Sequence, residues 1–227
     1  MLLTLTAVRD NLRNRDGKRV FYLGRGDSLT SEARDYLNRE RIEILPADRA
    51  KPERYRLISG GFLTEKPEHM THLRDDVLIP KDHPRILFRG KLDSLESELL
   101  LCQLEAPEFR EPLGEILAMV QKILACEVLG EALPEGKILG LTEEELHRRS
   151  HFPAEFYGVP HFMPQWTDGA VMARLNRARC AAREAECWAG AAVRGRDGEM
   201  DREDLLRALN RLSSALYLLM IQEKAKR

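Results

Sequence analysis

The chain has 227 residues, of which 43% are hydrophobic, and its formal net charge is −1 from 36 basic and 37 acidic side chains. This length and composition predict one domain of ordinary core size with a small appendage. The balanced charge excludes a global cationic field for nucleic acid or anionic lipid, although a local cationic pocket is still allowed. No apolar run approaches the roughly 18 residues of a membrane-spanning helix, and the N-terminus lacks the pattern of a signal peptide. We therefore expect a soluble, cytoplasmic protein.

Residues 1–58 differ from the rest of the chain because they are highly charged and mixed in hydrophobic period. Thr30 is a candidate N-cap for a short helix that runs through Asn38. Residues 41–45 follow with the pattern of a strand, and residues 19–23 form a second candidate strand that would pair with it. We predict that this region is a small α+β appendage.

From about residue 86 the hydrophobic pattern becomes helical, with two heptad seams that step by four and three residues. The first seam consists of Phe88, Leu92, Leu95, Leu99 and Cys102, and the second consists of Leu205, Leu209, Leu212, Leu216 and Leu219. Between the seams, Pro112 fits the first turn of a helix that ends at Gly130. Thr142 and Glu145 form a capping-box pair that opens a short helix.

Two further caps complete the helical part. Asp168 is a candidate N-cap for a long helix from residue 169 to about residue 193, which the turn-rich residues 195–198 would end. Asp201 is a candidate cap for the last helix. Five helices with this spacing over residues 59–227 predict an all-α fold, namely an antiparallel five-helix bundle with the small N-terminal α+β appendage.

The four cysteines of the chain lie in apolar helical patterns and include no Cys-x-x-Cys pair; they are Cys102, Cys126, Cys180 and Cys187. We interpret them as reduced core thiols rather than as disulfide or metal-binding residues.

The most informative segment is residues 175–188, where Arg179, Arg183 and Glu186 fall at i, i+4 and i+7 and share one helix face. The neighbouring positions hold small residues, namely Ala178, Cys180, Ala181, Ala182, Ala185 and Cys187. Guanidinium groups among close-packed small residues are costly unless they hold an anion or a paired carboxylate. The stripe therefore indicates a functional site that holds either an anion or a paired carboxylate.

Two further polar residues, Asp93 and Asn210, each lie one position past a seam leucine. We therefore expect both side chains to flank the core rather than face bulk water. Asp93 could instead favour the dipole of a nearby helix start, and Asn210 could be a polar residue that sets helix register. Their combination with the arginine stripe favours one joint site.

Four motifs in this order and spacing resemble the corrinoid (cobalamin) adenosyltransferases of the propanediol-utilization type. They are residues 81–85 (KDHPR), residues 90–96 (GKLDSLE), the stripe at residues 179–186 and residues 209–213 (LNRLS). The resemblance extends from about residue 62 to the C-terminus. Residues 65–73 and 29–34 are more similar to the ethanolamine-utilization type.

The resemblance implies a five-helix bundle that assembles into a homo-oligomer, often a trimer, with active sites between subunits. It also implies that the cobalt of cob(I)alamin attacks the 5′ carbon of ATP, which gives adenosylcobalamin and triphosphate. ATP with Mg²⁺ and cobalamin would therefore be the substrates, since Mg²⁺ neutralises phosphate charge. A cobalamin-dependent lyase or a reductase is a further candidate partner, and enclosure in a microcompartment through residues 1–58 stays open.

The resemblance assigns catalytic roles to five residues. Arg179 and Arg183 would hold ATP or its triphosphate, because guanidinium groups make bidentate contacts to phosphate oxygens. Glu186 would orient the stripe. Asp93 would pair with Arg179 across a subunit interface, and Asn210 would hydrogen-bond the nucleotide.

Further ATP contacts are expected near residue 70. Lys81 matches the phosphate-contacting lysine of the family, while Thr64 and Thr71 bound the stretch where the propanediol type has a Gly-rich threonine loop. Residues 67–70 (PEHM) replace its glycines. The threonines remain candidate ATP contacts, but Pro67 supplies no N–H to a backbone phosphate cradle.

The aromatic cluster in residues 150–168 predicts a long ordered loop with a function. An aromatic side chain below the corrin ring would displace the lower axial ligand of cobalt. Phe162 is the candidate for this cobalamin contact, and Trp166 and Phe156 are the alternatives. Ordinary core packing explains any single one of them equally well.

A transition-metal site is not predicted. Some members of the ethanolamine type have a histidine followed after eleven residues by Cys-Cys-x-x-Cys. Counted from His69, the cysteine positions hold Lys81, Asp82 and Arg85. Three histidines, namely His69, His72 and His83, could still bind a metal, but exposed loop histidines are the more frequent case.

Two other functions are alternatives to the enzyme. A di-iron carboxylate bundle needs two Glu-x-x-His motifs, and only Glu144 with His147 fits. The stronger alternative is a non-catalytic helical corrinoid-binding or scaffold protein with a degenerate nucleotide site, which the lost glycines favour. The arginine stripe with its acidic and amide partners favours the enzyme.

Overall fold

The structure is a computed structural model that describes residues 2–15, 17–47, 54–195 and 199–226. The chain divides into two compact units, Met1–Lys81 and Asp82–Arg227. This boundary differs from the predicted division into residues 1–58 and 59–227, because the strands between residues 55 and 80 group with the first unit. Within the described ranges, no helix is both long and apolar enough to cross a bilayer.

The first unit contains two short helices and all the named sheets of the described chain. Its helices are α1 (Leu5–Asp10) and α2 (Ser31–Arg39). Its strands are β1 (Leu2–Leu3), β2 (Arg13–Arg15), β3 (Lys18–Leu23), β4 (Ser28–Leu29), β5 (Glu43–Pro46), β6 (Tyr55–Leu57), β7 (Phe62–Leu63), β8 (Met70–Arg74) and β9 (Val77–Pro80). They form sheets of order β1-β4, β2-β3-β5 and β7-β6-β9-β8.

The helix and the two paired strands predicted for the N-terminal region are present. Thr30 caps α2 by accepting a hydrogen bond from the Ala33 backbone N–H at 3.3 Å. Strands β3 and β5 pair in parallel, with Val20 opposite Glu43. The β7-β6-β9-β8 sheet, by contrast, was missed, so the all-α class applies to the second unit only.

The second unit is helical. Its helices are α3 (Pro84–Glu105), α4 (Arg110–Leu129), α5 (Glu143–His151), α6 (Pro153–Tyr157), α7 (Gly169–Ala192) and α8 (Glu203–Ala225), with short 3₁₀ helices at Pro107–Phe109 and Trp166–Asp168. The predicted loop at residues 150–168 is thus partly helical. Helix α3 packs against α7 and α4, and α7 packs against α8. Every residue of both predicted seams is buried.

The helix ends follow the sequence in part. Thr142 and Glu145 form the predicted capping box of α5, and Gly130 ends α4 in the left-handed conformation with φ 69°, which glycine adopts at low cost. The Asp201 prediction is wrong, since α8 begins at Glu203 without a side-chain cap. Of the predicted turn at residues 195–198, residues 196–198 lie outside the described residues.

A buried carboxylate joins α3 to α4. Glu127, which is 1% exposed, accepts hydrogen bonds from Arg85 at 2.7 Å and from Arg89. The two guanidinium side chains are only 24% and 16% exposed. Arg85 of the KDHPR motif therefore stabilises the bundle. No pattern in the sequence identifies Glu127 as its partner.

We expect Glu127→Gln to lower the free energy of unfolding by about 2–4 kcal/mol, because it removes a buried carboxylate from between two guanidinium groups. Urea denaturation measures the change. Glu184→Gln is the matched control, since Glu184 is 45% exposed where it pairs with Lys91 and should contribute about 0.5 kcal/mol or less. A loss no larger than that of the control would contradict the prediction.

Candidate active site

The two stripe arginines of α7 are not neutralised by a carboxylate. Arg179 is half-buried and donates through Nε and Nη2 to the Asn176 side-chain oxygen, each at 3.3 Å. Arg183 is exposed. Neither has an ion pair within the part of the chain that the structure describes. Two adjacent guanidinium groups on one helix face are therefore available to an anion.

The end of the stripe is connected to α8 by hydrogen bonds. Asn210 donates through Nδ2 to Glu186 at 2.9 Å, and Arg211 donates through Nη2 to the Asn210 side-chain oxygen. Arg211 Nη1 also contacts the backbone carbonyl of Glu143 at 3.4 Å. The structure thus joins the predicted residues Glu186 and Asn210 in one network.

Arg211 is a site residue that the sequence analysis missed, although it lies within the LNRLS motif. Its Nε is buried and has no hydrogen-bond partner among the described residues. A buried unpaired donor is costly, so this group is suited to an acceptor that the chain does not supply.

Asp93 corrects one expectation. Its side chain lies on the exposed side of α3 rather than beside the core, and its carboxylate has no partner in the residues described. The same side of α3 continues into Leu100 and Leu104, which are 51% and 74% exposed. This position is compatible with a partner from another subunit.

Tyr217 is a second residue that the sequence did not reveal. Burial raises the pKa of its hydroxyl, while the nearby backbone N–H of Phe162 and the charge of Arg179 lower that pKa. Tyr217 thus belongs to the part of α8 that contacts the aromatic segment.

Of the three aromatic candidates, only Phe162 packs against the helical core. Its ring centroid lies 5.9 Å from that of Tyr217. Trp166 is 90% exposed. Phe156 lies under the guanidinium groups of Arg148 and Arg149 at 5.1 and 5.7 Å. The position of Phe162 supports it as the first candidate.

The remaining predicted ATP contacts belong to the first unit. Lys81 pairs with the exposed Glu68 at 2.9 Å, and this hydrogen bond lowers the pKa of the Glu68 carboxyl. Such an exposed pair is weak enough to be exchanged for a phosphate. Thr64 is exposed in the turn after β7, and Thr71 is half-buried in β8.

The turn between these threonines bonds one of its backbone donors within itself and accepts a bond from Lys81. The Met70 N–H donates to the Pro67 carbonyl at 3.1 Å, and the Lys81 N–H donates to the His69 carbonyl at 2.9 Å. These two N–H groups are therefore not free to bind phosphate.

The three histidines considered as metal ligands have separate surroundings. His72 hydrogen-bonds the Asp75 carbonyl at 2.9 Å, and His69 is exposed. His83 accepts from the Arg85 N–H at 3.2 Å, and burial together with the Arg85 charge lowers its pKa. No group of three or more His, Cys, Asp or Glu residues suited to a metal ion occurs in the described ranges.

The cysteines match the core-thiol interpretation only in part. Cys102 is buried, and burial raises the pKa of its thiol to about 11. Cys126 is also buried, whereas Cys180 is half-buried and Cys187 is exposed. The prediction is therefore wrong for Cys187, because α7 places its side chain outside the helix packing.

A cavity of about 190 Å³ opens in the second unit, where its lining includes Glu135, Glu143, Asp204 and Arg207. Three carboxylates against one guanidinium make it unsuitable for a triphosphate. The stripe on α7 remains the better anion site.

Comparison with known proteins gives the family of the chain. A family model described as cobalamin adenosyltransferase matches residues 62–223. The corrinoid adenosyltransferase EutT of Salmonella typhimurium is 38% identical over 165 residues, which are 72% of this chain and 62% of that protein. The EutT protein of Escherichia coli is 37% identical over the same shares. The chain thus spans less than two thirds of the length of these curated relatives.

A solved structure confirms the similarity of the fold. It is a variant of the PduO-type ATP:corrinoid adenosyltransferase from Lactobacillus reuteri, complexed with cobalamin and ATP. The TM-score is 0.50 at 16% identity, and the match covers 79% of this chain and 89% of the other. The resemblance that the motifs indicated is confirmed by the family model, and the chain belongs to the cobalamin adenosyltransferase family.

Proposed function

We propose that this protein is an ATP:cob(I)alamin adenosyltransferase. The observation that supports it most is the pair of unneutralised guanidinium groups, Arg179 and Arg183, beside the Glu186–Asn210 network in a chain of this family. The relatives that the chain matches are named as corrinoid adenosyltransferases, and the structure of similar fold contains cobalamin and ATP.

In the proposed reaction, the electron pair of Co(I) attacks the 5′ carbon of ATP. A cobalt–carbon bond forms, the bond from that carbon to oxygen breaks, and triphosphate leaves with the bonding electrons. Negative charge grows on the leaving group, so Arg179 and Arg183 would stabilise the transition state more than the bound substrate. Mg²⁺ would enter with ATP and neutralise part of the phosphate charge.

The other site residues take supporting roles in this proposal. Asn210 would hold the nucleotide while Glu186 fixes its amide, and Asp93 would reach Arg179 of a neighbouring subunit. Thr64, Thr71 and Lys81 are the further candidate ATP contacts. Phe162, with Trp166 as the alternative, would lie below the corrin ring.

The assembly and location are proposed from the resemblance. Within residues 59–227, the helices from Pro84 to Ala225 would provide the catalytic bundle in a homo-oligomer, with a trimer favoured and the active sites between subunits. The protein would act in the cytoplasm, alone or within a microcompartment. A cobalamin-dependent lyase or a reductase would be its protein partner.

One assay tests the activity. The protein is mixed with MgATP and chemically reduced cobalamin, and the visible spectrum is followed for a light-sensitive cobalt–carbon product. We expect this product to accumulate with turnover. Well-folded protein that forms none would contradict the proposal.

The same negative result would favour the non-catalytic alternative, a helical corrinoid-binding or scaffold protein. One observation supports this alternative, namely that the Met70 N–H bonds to the Pro67 carbonyl within the turn at residues 67–70, where the propanediol type has glycines. Equilibrium binding of cobalamin without turnover would then identify it.

A further inference from the structure

The segment that contains Phe162 is attached to α8 through a hydrogen-bonded histidine. His161 Nδ1 lies 3.0 Å from the Tyr217 hydroxyl, and His161 Nε2 lies 3.1 Å from the His151 backbone carbonyl. The two rings also stack, with centroids 5.8 Å apart and planes 8° apart. Tyr217 is half-buried. His161 therefore contacts both its hydroxyl and its ring.

The partners determine which atoms donate. A backbone carbonyl only accepts, so His161 Nε2 must carry the proton that bonds to His151. In the neutral ring Nδ1 is then the acceptor, and the Tyr217 hydroxyl donates to it. When the His161 ring is neutral, the Tyr217 hydroxyl is therefore always the donor and His161 Nδ1 always the acceptor of this hydrogen bond.

A second attachment lies two helical turns further along α8. Lys224 pairs with Asp168 at 2.6 Å, and Asp168 is only 4% exposed. Asp168 also accepts from the Gln165 N–H at 2.8 Å. The ammonium group of Lys224 lies 5.6 Å from the centroid of the Phe162 ring, within the range of a cation–π contact.

Tyr217 and Lys224 are seven residues apart and share a face of α8. The Phe162 ring therefore lies over this face between an aromatic ring and a cation. We propose that His161 and Tyr217 clamp Phe162 on α8 and are positioning residues for the aromatic side chain below the corrin. This inference deepens the proposed function, on which it depends for its catalytic consequence.

The clamp explains why a phenol stands at position 217. Core packing alone would be satisfied by phenylalanine, whereas the hydroxyl adds a bond to the segment that holds Phe162. Loss of one such hydrogen bond corresponds to about a tenfold change in an equilibrium or a rate. Loss of the Tyr217 hydroxyl should change the position of Phe162 below the corrin ring and should leave ATP binding unchanged.

Tyr217→Phe is the first test, with Tyr157→Phe as its matched control. Tyr157 packs against the same core, and its hydroxyl has no hydrogen bond within the described ranges. We expect hydrogen exchange measured by mass spectrometry to be faster in residues 158–165 of Tyr217→Phe than in the control. Equal exchange in the two variants would overturn the clamp, whatever the activity.

The catalytic consequence has its own measurements. Tyr217→Phe should lower kcat about tenfold and leave the KM for ATP within about twofold. The absorbance spectrum of cob(II)alamin bound with MgATP should show a smaller fraction of cobalt without its lower ligand, as it should for Phe162→Ala. Unchanged kcat and an unchanged spectrum would overturn the positioning role.

A double variant separates a specific contact from general damage. Both Tyr217→Phe and His161→Phe break the hydrogen bond between these residues, and His161→Phe also loses the bond to the His151 carbonyl. Their combination should therefore cost no more than His161→Phe alone. Fully additive losses would overturn the clamp. If the wild-type protein forms no cobalt–carbon product, the proposed function and the catalytic role both fail, while the exchange measurement still decides whether the clamp exists.

Discussion

Arg183→Ala is expected to lower kcat/KM for ATP at least a hundredfold while the bundle stays folded. The side chain is exposed on α7, so its removal leaves no cavity in the core. We propose that it stabilises the charge that grows on the triphosphate during the reaction. Loss of one such group typically lowers the rate by a factor of about 10²–10³. The spectral assay measures the loss, and circular dichroism measures the fold.

Arg177→Ala provides the control on the same helix. Arg177 already pairs with Glu98 at 3.0 Å and with Glu184 at 3.3 Å, so it is not available to a phosphate. Its replacement should change kcat/KM by less than about threefold, as expected for an exposed ion pair. Equal losses in the two variants would remove Arg183 from the site.

Asp93→Ala and Arg179→Ala should each be nearly inactive alone but recover activity when their subunits are mixed. The reason is that the proposed site between subunits would take Asp93 from one chain and Arg179 from the next. Random assembly of equal amounts gives about one intact site in four in a ring with head-to-tail contacts. Unfolding, mixing and refolding, followed by the spectral assay, measures the recovery.

The exposed carboxylate of Asp93, which has no partner among the residues described, motivates this experiment. A mixture that stays as inactive as its two components would show that both residues act within one chain or that Asp93 has another role. Mixing each variant with wild-type protein is the control for the refolding step.

The long helices could be predicted because their information is local. The seam residues Leu92 and Leu209 repeat at heptad spacing, and both are fully buried. Thr142 and Glu145 cap α5 through bonds within four residues of each other. Such patterns need no knowledge of distant parts of the chain.

The sheet of β6–β9 could not be predicted in the same way. Its strands are two to five residues long, and β6 pairs in parallel with β9, with Arg56 opposite Val77. Short strands show too few alternations to reveal a period, and their pairing depends on contacts distant in sequence.

The surroundings of the site residues also depended on packing. Asp93 follows a seam leucine, as Asn210 does, yet it is exposed while Asn210 is half-buried. The difference arises because α8 lies against both α7 and α5, whereas the side of α3 that contains Asp93 is exposed among the described residues. Periodicity gives the face of a helix but not what covers it.

Arg211 and Tyr217 were missed for a related reason. Each lies on the polar or mixed side of a strongly apolar helix, where a single side chain gives no periodic signal. Their roles became visible only through the Asn210 and His161 contacts. Neither contact can be inferred from the sequence, because each depends on how the chain folds around the helices.

Isothermal titration of inorganic triphosphate into the wild-type protein and the Arg179→Ala/Arg183→Ala double variant tests the central claim most directly. If these two guanidinium groups hold the phosphates of ATP, the wild type should bind triphosphate and the double variant should bind at least a hundredfold more weakly. Equal affinity of the two proteins, with both well folded, would contradict the account.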